Sequence, residues 1–287
     1  MAFAMPISYA RMTLQQIRGS GGFVNSFASN VIVPDGPHTG NVTCTVMSSP
    51  TLGTIAEGTQ VTNLAVTVAT ALTFVDKQAT MSLKPSQSKS FFTKPENLVS
   101  LARIHADAFV YDATGSMIAD MYAATPGLSK TLPDGQGNMS TDGTAAEAHE
   151  NWAAFMELVT YVMSLEQGAN SADEFGIIAY YKTFGNMITL RSDSYRAIYD
   201  SATNMWRFLG IPIYSTSYAT NFGAASRPAA FVYHRDAGAI VWDEPEIMGG
   251  GPMWHDDALI KWTTICPYGH ALHNAALLGE LLNLAAL

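Results

Sequence analysis

The stretch "KPENLVSLARIHADAFVYDATGSMIADMY", residues 94–122, decides how the rest of the chain is read. Thr93 and Glu96 fit a capping box, and Pro95 falls in the first turn, where its missing N–H costs nothing. Leu98, Leu101, Ile104, Ala108, Tyr111, Ile118 and Tyr122 recur at helical spacing, broken at Gly115. The reading is one amphipathic helix of nearly thirty residues that stops near Pro126-Gly127. A helix that long acts as a spine on which other elements pack.

Upstream, residues 1–38 carry Gly, Ser, Asn and Pro without a sustained period and are read as an extended arm. Such an arm adds little to its own core. Its Phe23, Phe27, Val31 and Ile32 are expected to bury against neighbouring chains. Residues 39–92 read as a long β-hairpin. "NVTCTVM" (41–47) alternates, "SSPTLGTIAEGTQVT" (48–62) is a polar excursion, and "LAVTVATALTFVDKQATMSL" (64–83) resumes strand character.

Downstream of the spine, residues 127–144 read as a polar loop. A second helix follows, with Trp152, Phe155, Val159 and Val162 on one face and Gly168 as its C-cap. "FGIIAY" (175–180) is a buried strand, "YKTFGNMITL" (181–190) a helix and "LGIPIYSTS" (209–217) another strand, which together suggest a compact α/β unit. The chain then returns through "AAFVY", "AGAIVW", a Gly-rich turn "IMGGGP", the strand "ALIKWTTIC" and an apolar tail.

The totals narrow the function. The 287 residues contain 15 Lys+Arg against 24 Asp+Glu, the wrong balance for a protein that grips phosphate backbones. Charged residues are 14% of the chain, against about 25% in ordinary soluble domains. So little charge implies surface covered by partners. No apolar run reaches the roughly 18 residues of a membrane span, and residues 1–22 lack a signal-peptide pattern. Cys44 and Cys266, the only cysteines, are read as reduced thiols.

Several short motifs invite chemistry. His234-Arg235-Asp236 opens the catalytic loop of protein kinases, but that loop needs Asn five residues after its Asp, and Val241 stands there. No Gly-rich phosphate loop or D-F-G triplet accompanies it, so it is read as a turn between two strands. Cys266, His270 and His273, with His255 upstream, could hold zinc, although their spacing is loose for a closed site. Asp243, Glu244 and Glu246 are read as a solvated acidic turn. Lys77, Lys84, Lys89 and Lys94 flank the returning hairpin strand and are read as contacts to solvent or acidic groups. "GGG" (249–251) precedes no helix and is no phosphate cradle.

The order of these features resembles the major capsid proteins of tailed bacteriophages, the Hong Kong 97-type fold, over nearly the whole chain. Residues 94–122 look like the spine helix, and "RFLGIPIYSTS" (207–217) is similar to a strand of the axial domain. "AAFVYHRDAGAIVW" (229–242) looks like the strand that re-enters the peripheral domain, and "YGHALHN" (268–274) resembles the Tyr-Gly near the end of the final strand.

The resemblance implies an α+β subunit in five parts. These are an N-terminal arm (1–38), an extended hairpin or E-loop (39–92), a peripheral spine helix (93–127), an axial domain (128–226) and peripheral return strands with the C-terminus (227–287). It also implies self-assembly into hexamers and pentamers of an icosahedral head shell, enclosing double-stranded DNA without sequence-specific contacts. Portal and decoration proteins would be partners, and scaffolding would be separate or absent, since no long segment precedes the spine. Assembly would take place in the bacterial cytoplasm, with the virion as destination. No catalytic, cofactor-binding or metal-binding residue and no membrane contact is implied. A compartment shell of the encapsulin kind shares the architecture. A metal-dependent enzyme built on Cys266, His270 and His273 is the alternative from another class.

Overall fold

A computed structural model describes residues 4–20, 22–27, 31–32, 41–46, 68–83, 95–132, 145–165, 171–189, 197–217, 227–253 and 259–282. In chain order these form helix α1 (Ala4–Ser20), strands β1 (Val31–Ile32), β2 (Asn41–Val46) and β3 (Val68–Leu83), and the spine α2 (Pro95–Ala123). Strand β4 (Leu128–Thr131), helix α3 (Ala145–Leu165), β5 (Phe175–Tyr180) and helix α4 (Tyr181–Thr189) follow. The last section holds β6 (Ile198–Asp200), β7 (Met205–Phe208), β8 (Ile211–Thr216), β9 (Pro228–His234) and β10 (Gly238–Trp242). It ends with β11 (Glu246–Met253), β12 (Leu259–Leu272) and β13 (Leu278–Leu282).

The spine begins at Pro95 as the sequence reads and runs 29 residues. Beyond Ala123 the chain turns at Gly127, whose N–H donates to the carbonyls of Ala275 and Leu278 at 3.0 and 2.9 Å. A Cβ there would lie 2.4 Å from the Ala276 carbonyl oxygen, so only glycine fits this close approach.

Seven strands form one sheet in the order β4-β13-β9-β5-β8-β7-β6. Its central strands are buried on both faces, and the alternation of side chains sorts them into two cores. Ile177, Ala179, Ala230, Val232 and Leu281 meet Trp152, Phe155, Leu158, Val159 and Val162 of α3. Ile178, Tyr180, Phe231, Tyr233 and Leu278 meet Ala113, Met117, Ile118 and Met121 of the spine. The result is three layers, with a helix on each face of the sheet.

The second sheet runs β1-β2-β3-β12-β10, with β11 also on β12. The fourteen-residue β12 is its rail. One edge pairs with β3 from Ile260↔Leu83 to His270↔Thr73, and the other takes β11 and then β10. β2 and β3 pair antiparallel from Asn41↔Thr73 to Val46↔Val68, as the hairpin reading requires. Residues 47–67, Thr93, Gly168, Lys84, Lys89 and Lys94 lie outside the described residues.

Four expectations change. Residues 1–38 are not all extended: residues 4–20 form α1, which packs Tyr9 and Ile17 against Leu101, Ala102, Ala106 and Phe109. The following turn is core, since Phe23, Val24 and Phe27 are buried against the spine and β9. Tyr233 stacks on Phe27 at 4.9 Å and donates to or accepts from the Ser26 hydroxyl at 2.6 Å. Asn25 donates to the carbonyls of Ile17 and Arg18, satisfying the end of α1.

Residues 128–131, read as loop, form β4 parallel to β13. "IMGGGP", read as a turn, lies within β11, where the register shifts between Gly249 and Pro252. Glycines there allow the bulge. Finally, the boundary at 226/227 does not separate two units. β9 and β13 lie in one sheet with β5 and β8, because β9 pairs with β5 from Phe175↔His234 to Ala179↔Ala230.

Candidate assembly surfaces

His234-Arg235-Asp236 is the turn between β9 and β10 that the sequence suggests. The buried His234 Nδ1 accepts the Asp236 backbone N–H at 3.1 Å, which caps the 3-10 turn. Arg235 Nη2 lies 3.6 Å from Glu174 Oε1. Val241 is in β10 opposite Gly269, within the sheet. Every one of these contacts shapes backbone. Asp236→Asn is therefore expected to shift stability by no more than about 0.5–1 kcal/mol. Thermal melting checks this, and ATP hydrolysis by wild type that the variant loses would restore a catalytic reading.

The residues singled out for metal binding have separate partners. Cys266 is a free thiol packed with Ile17, Ala106 and Phe109, and burial pushes its pKa up to about 12, so it holds its proton. His270 Nδ1 meets Asp120 Oδ2 at 2.6 Å. Burial pushes His273 down, and its backbone N–H donates to Ala237. His255 lies outside the described residues, and among the described residues no three His, Cys, Asp or Glu side chains converge. Asp243 and Glu244 follow β10, where the Glu244 N–H donates to Asp243 Oδ1, and Glu246 opens β11.

One polar seam joins the spine to the second sheet. Asp112, Ser116 and Asp120 recur every fourth residue along the spine. Tyr268 donates to Asp112 Oδ2 at 2.6 Å and meets Ser116 Oγ at 2.9 Å. Lys77 Nζ sits 3.0 Å from Asp112, an exposed pair worth under about 1 kcal/mol. The seam fixes register between helix and sheet more than it adds stability.

The apolar side chains left outside are more informative. On the spine, Ile104 is 64% and Tyr111 56% exposed, with Ala108 exposed between them. These were assigned to the inward stripe, so that assignment is corrected. At the far end of the other sheet, Ile198 (59%) on β6 and Leu209 (54%) in the β7–β8 turn form a second outward patch. Leu209 holds φ 52°, a left-handed conformation that a bulky residue adopts at a cost. Arg207 braces this turn, donating to Asp173 Oδ1 at 2.7 Å and to the Gly210 carbonyl at 2.6 Å. Between the two patches Val110, Thr114, Phe23, Trp206, Ile213 and Tyr214 line a cleft of about 400 Å³.

No protein-family model matches the sequence, and no curated protein matches it. Solved structures do. A virus-like particle from Pyrococcus furiosus superposes with a TM-score of 0.58 at 12% identity, over 97% of this chain and 99% of that one. The capsid of the empty GTA particle gives 0.56 at 13% identity, over 88% and 93%. The capsid of cyanophage P-SCSP1u gives 0.54 at 11%, over 91% and 87%. The chain has the Hong Kong 97-type capsid fold. The exposed Ile104–Tyr111 stripe lies along α2. At 11–13% identity the likeness is one of architecture, so side-chain roles rest on the geometry above.

Proposed function

We propose that this chain is the major subunit of a closed icosahedral shell, the head of a tailed phage enclosing double-stranded DNA. The observation that carries the proposal is the match to capsid and virus-like-particle chains over 88–97% of this chain. Two outward apolar patches on a chain with 14% charged residues support it, because a lone subunit would expose them to water. A shell subunit also meets its neighbours through different faces, so separate patches are what heterologous packing needs. On this reading hexamers and pentamers form the shell, portal, scaffold and decoration proteins are separate chains, and no covalent catalysis is involved. Assembly takes place in the host cytoplasm.

A second reading is a shell that packages protein: it shares the same fold, and the similar structures include a virus-like particle beside phage capsids. Electron microscopy of purified protein is expected to show closed particles of uniform diameter. Monomers or small oligomers alone, with scaffold supplied, would sink the shell reading. Nuclease-protected DNA inside particles made during infection supports the phage head. A protein cargo without DNA supports the second reading.

A further inference from the structure

Three elements meet at a buried polar triad. The Tyr9 hydroxyl of α1 lies 2.7 Å from His105 Nδ1 of the spine. Thr264 of β12 lies 2.8 Å from the same nitrogen and 3.3 Å from the Tyr9 oxygen. Tyr9, His105 and Thr264 are all buried. The rest of the α1–spine contact is built from small or apolar side chains, Ile17, Leu101, Ala102 and Ala106. Thr13, one turn beyond Tyr9, is fully buried beside the junction. The junction is thus the polar part of an otherwise apolar contact, where a buried charge is costly.

We propose that the Tyr9–His105–Thr264 junction is an acid-labile lock that releases α1 from the spine when His105 gains a proton. The groups facing His105 are Tyr9 from α1 and Thr264 from β12, neither charged. Cys266, two residues along β12, keeps its proton. Among the described residues no carboxylate pairs with the His105 ring, so an imidazolium there is buried without a counter-charge unless α1 moves away. A protonated Nδ1 can only donate, so the Tyr9 and Thr264 hydroxyl oxygens must turn to accept from it, and neither supplies a counter-charge. Burial alone holds the imidazole below its ordinary value.

The sign follows from that direction. Above about pH 6.5 both docked and released forms are neutral and the lock is closed. Below it the released form takes the proton first, so docking weakens by up to about tenfold per pH unit until the docked value is reached. The core around Trp152 lies on the other face of the sheet and does not touch the Tyr9–His105–Thr264 junction, so β5 and β9 serve as the internal reference.

Hydrogen exchange of the full chain between pH 8 and pH 5, corrected for intrinsic rates, tests the lock. Amides of residues 9–18 are expected to lose protection about tenfold per unit below pH 6.5, while those of β5 and β9 stay protected. His105→Asn places a non-titrating acceptor where Nδ1 stands and is expected to flatten the dependence. Constant protection of α1 in the wild type overturns the proposal. So does an unchanged pH slope in His105→Asn, or loss of α1 protection only together with β5 and β9. The wild-type series can overturn it alone, even if the variant fails to fold.

Discussion

Deletion of residues 1–27 is expected to abolish cooperative folding of the subunit rather than only to weaken its assembly. Tyr9, Ile17, Phe23, Val24 and Phe27 are buried in three separate clusters within the chain. At roughly 1.5–3 kcal/mol for each such side chain, the loss is on the order of ten kcal/mol. That rivals the entire 5–15 kcal/mol stability of an ordinary domain. The cut also strips cover from Ala102, Ala106, Phe109 and Tyr233. Circular dichroism melting is the measurement. A truncated protein that stays soluble and melts in one sharp transition would show that the segment is dispensable, as the sequence had suggested.

The second large effect is expected at Gly176. It lies opposite Tyr233 in the β5–β9 register, and a Cβ would sit 2.3 Å from the Tyr233 ring. The ring cannot move outward, because Phe27 stacks on it and Phe23 meets it edge-on at 5.5 Å. Gly176→Val is therefore expected to eject Tyr233, break its bond to Ser26 and cost about 3 kcal/mol or more. Thermal melting should fall by several degrees at the least. Tyr233→Ala alone opens a cavity and costs about 3–5 kcal/mol. The double variant is expected to be more stable than the sum of the two losses, since valine fills space the tyrosine vacates. Strict additivity would mean the two positions do not compete for the same volume. Gly269 under Phe74 repeats the device in the second sheet, where a Cβ would lie 2.8 Å from the ring.

The spine, the buried strand β5, helix α4 and the turn at His234 were legible in the sequence because each has a local signal. Pro95 marks a start, six apolar residues in a row mark a doubly covered strand, and polar residues between apolar runs mark a turn. The inward face of the spine was not legible. Its buried positions include Ala102, Ala106, Ala113 and Gly115, small residues that let neighbouring elements approach closely, whereas hydropathy favours Ile104 and Tyr111. Ile104 and Tyr111 face out, where the proposed shell would supply their cover.

Helix α1 carried a signal that was missed: Tyr9, Thr13 and Ile17 stand four apart, the spacing of one helical face. Nearby Gly and Ser residues drew the reading toward coil. Strand β4 is four residues at a sheet edge, too short for alternation to stand out. No local pattern could have disclosed the Tyr9–His105–Thr264 junction, whose members belong to three distant segments.

That junction sets the order of events at the ribosome. Tyr9 and Thr264 are 255 residues apart, and Ser26 and Tyr233 are 207 apart. At about 5–20 residues per second, the first helix waits roughly 10–50 s after it emerges before its last partner is made. Pairings of such long range are also slow to form once the chain is free. A nascent chain thus cannot present a finished spine surface until nearly its whole length has been translated. Truncated products of interrupted synthesis lack the rail strand β12 and the closing strand β13, so they cannot complete either sheet. On the shell reading, the wiring of the two chain ends acts as quality control: only full-length subunits become competent to join a growing lattice.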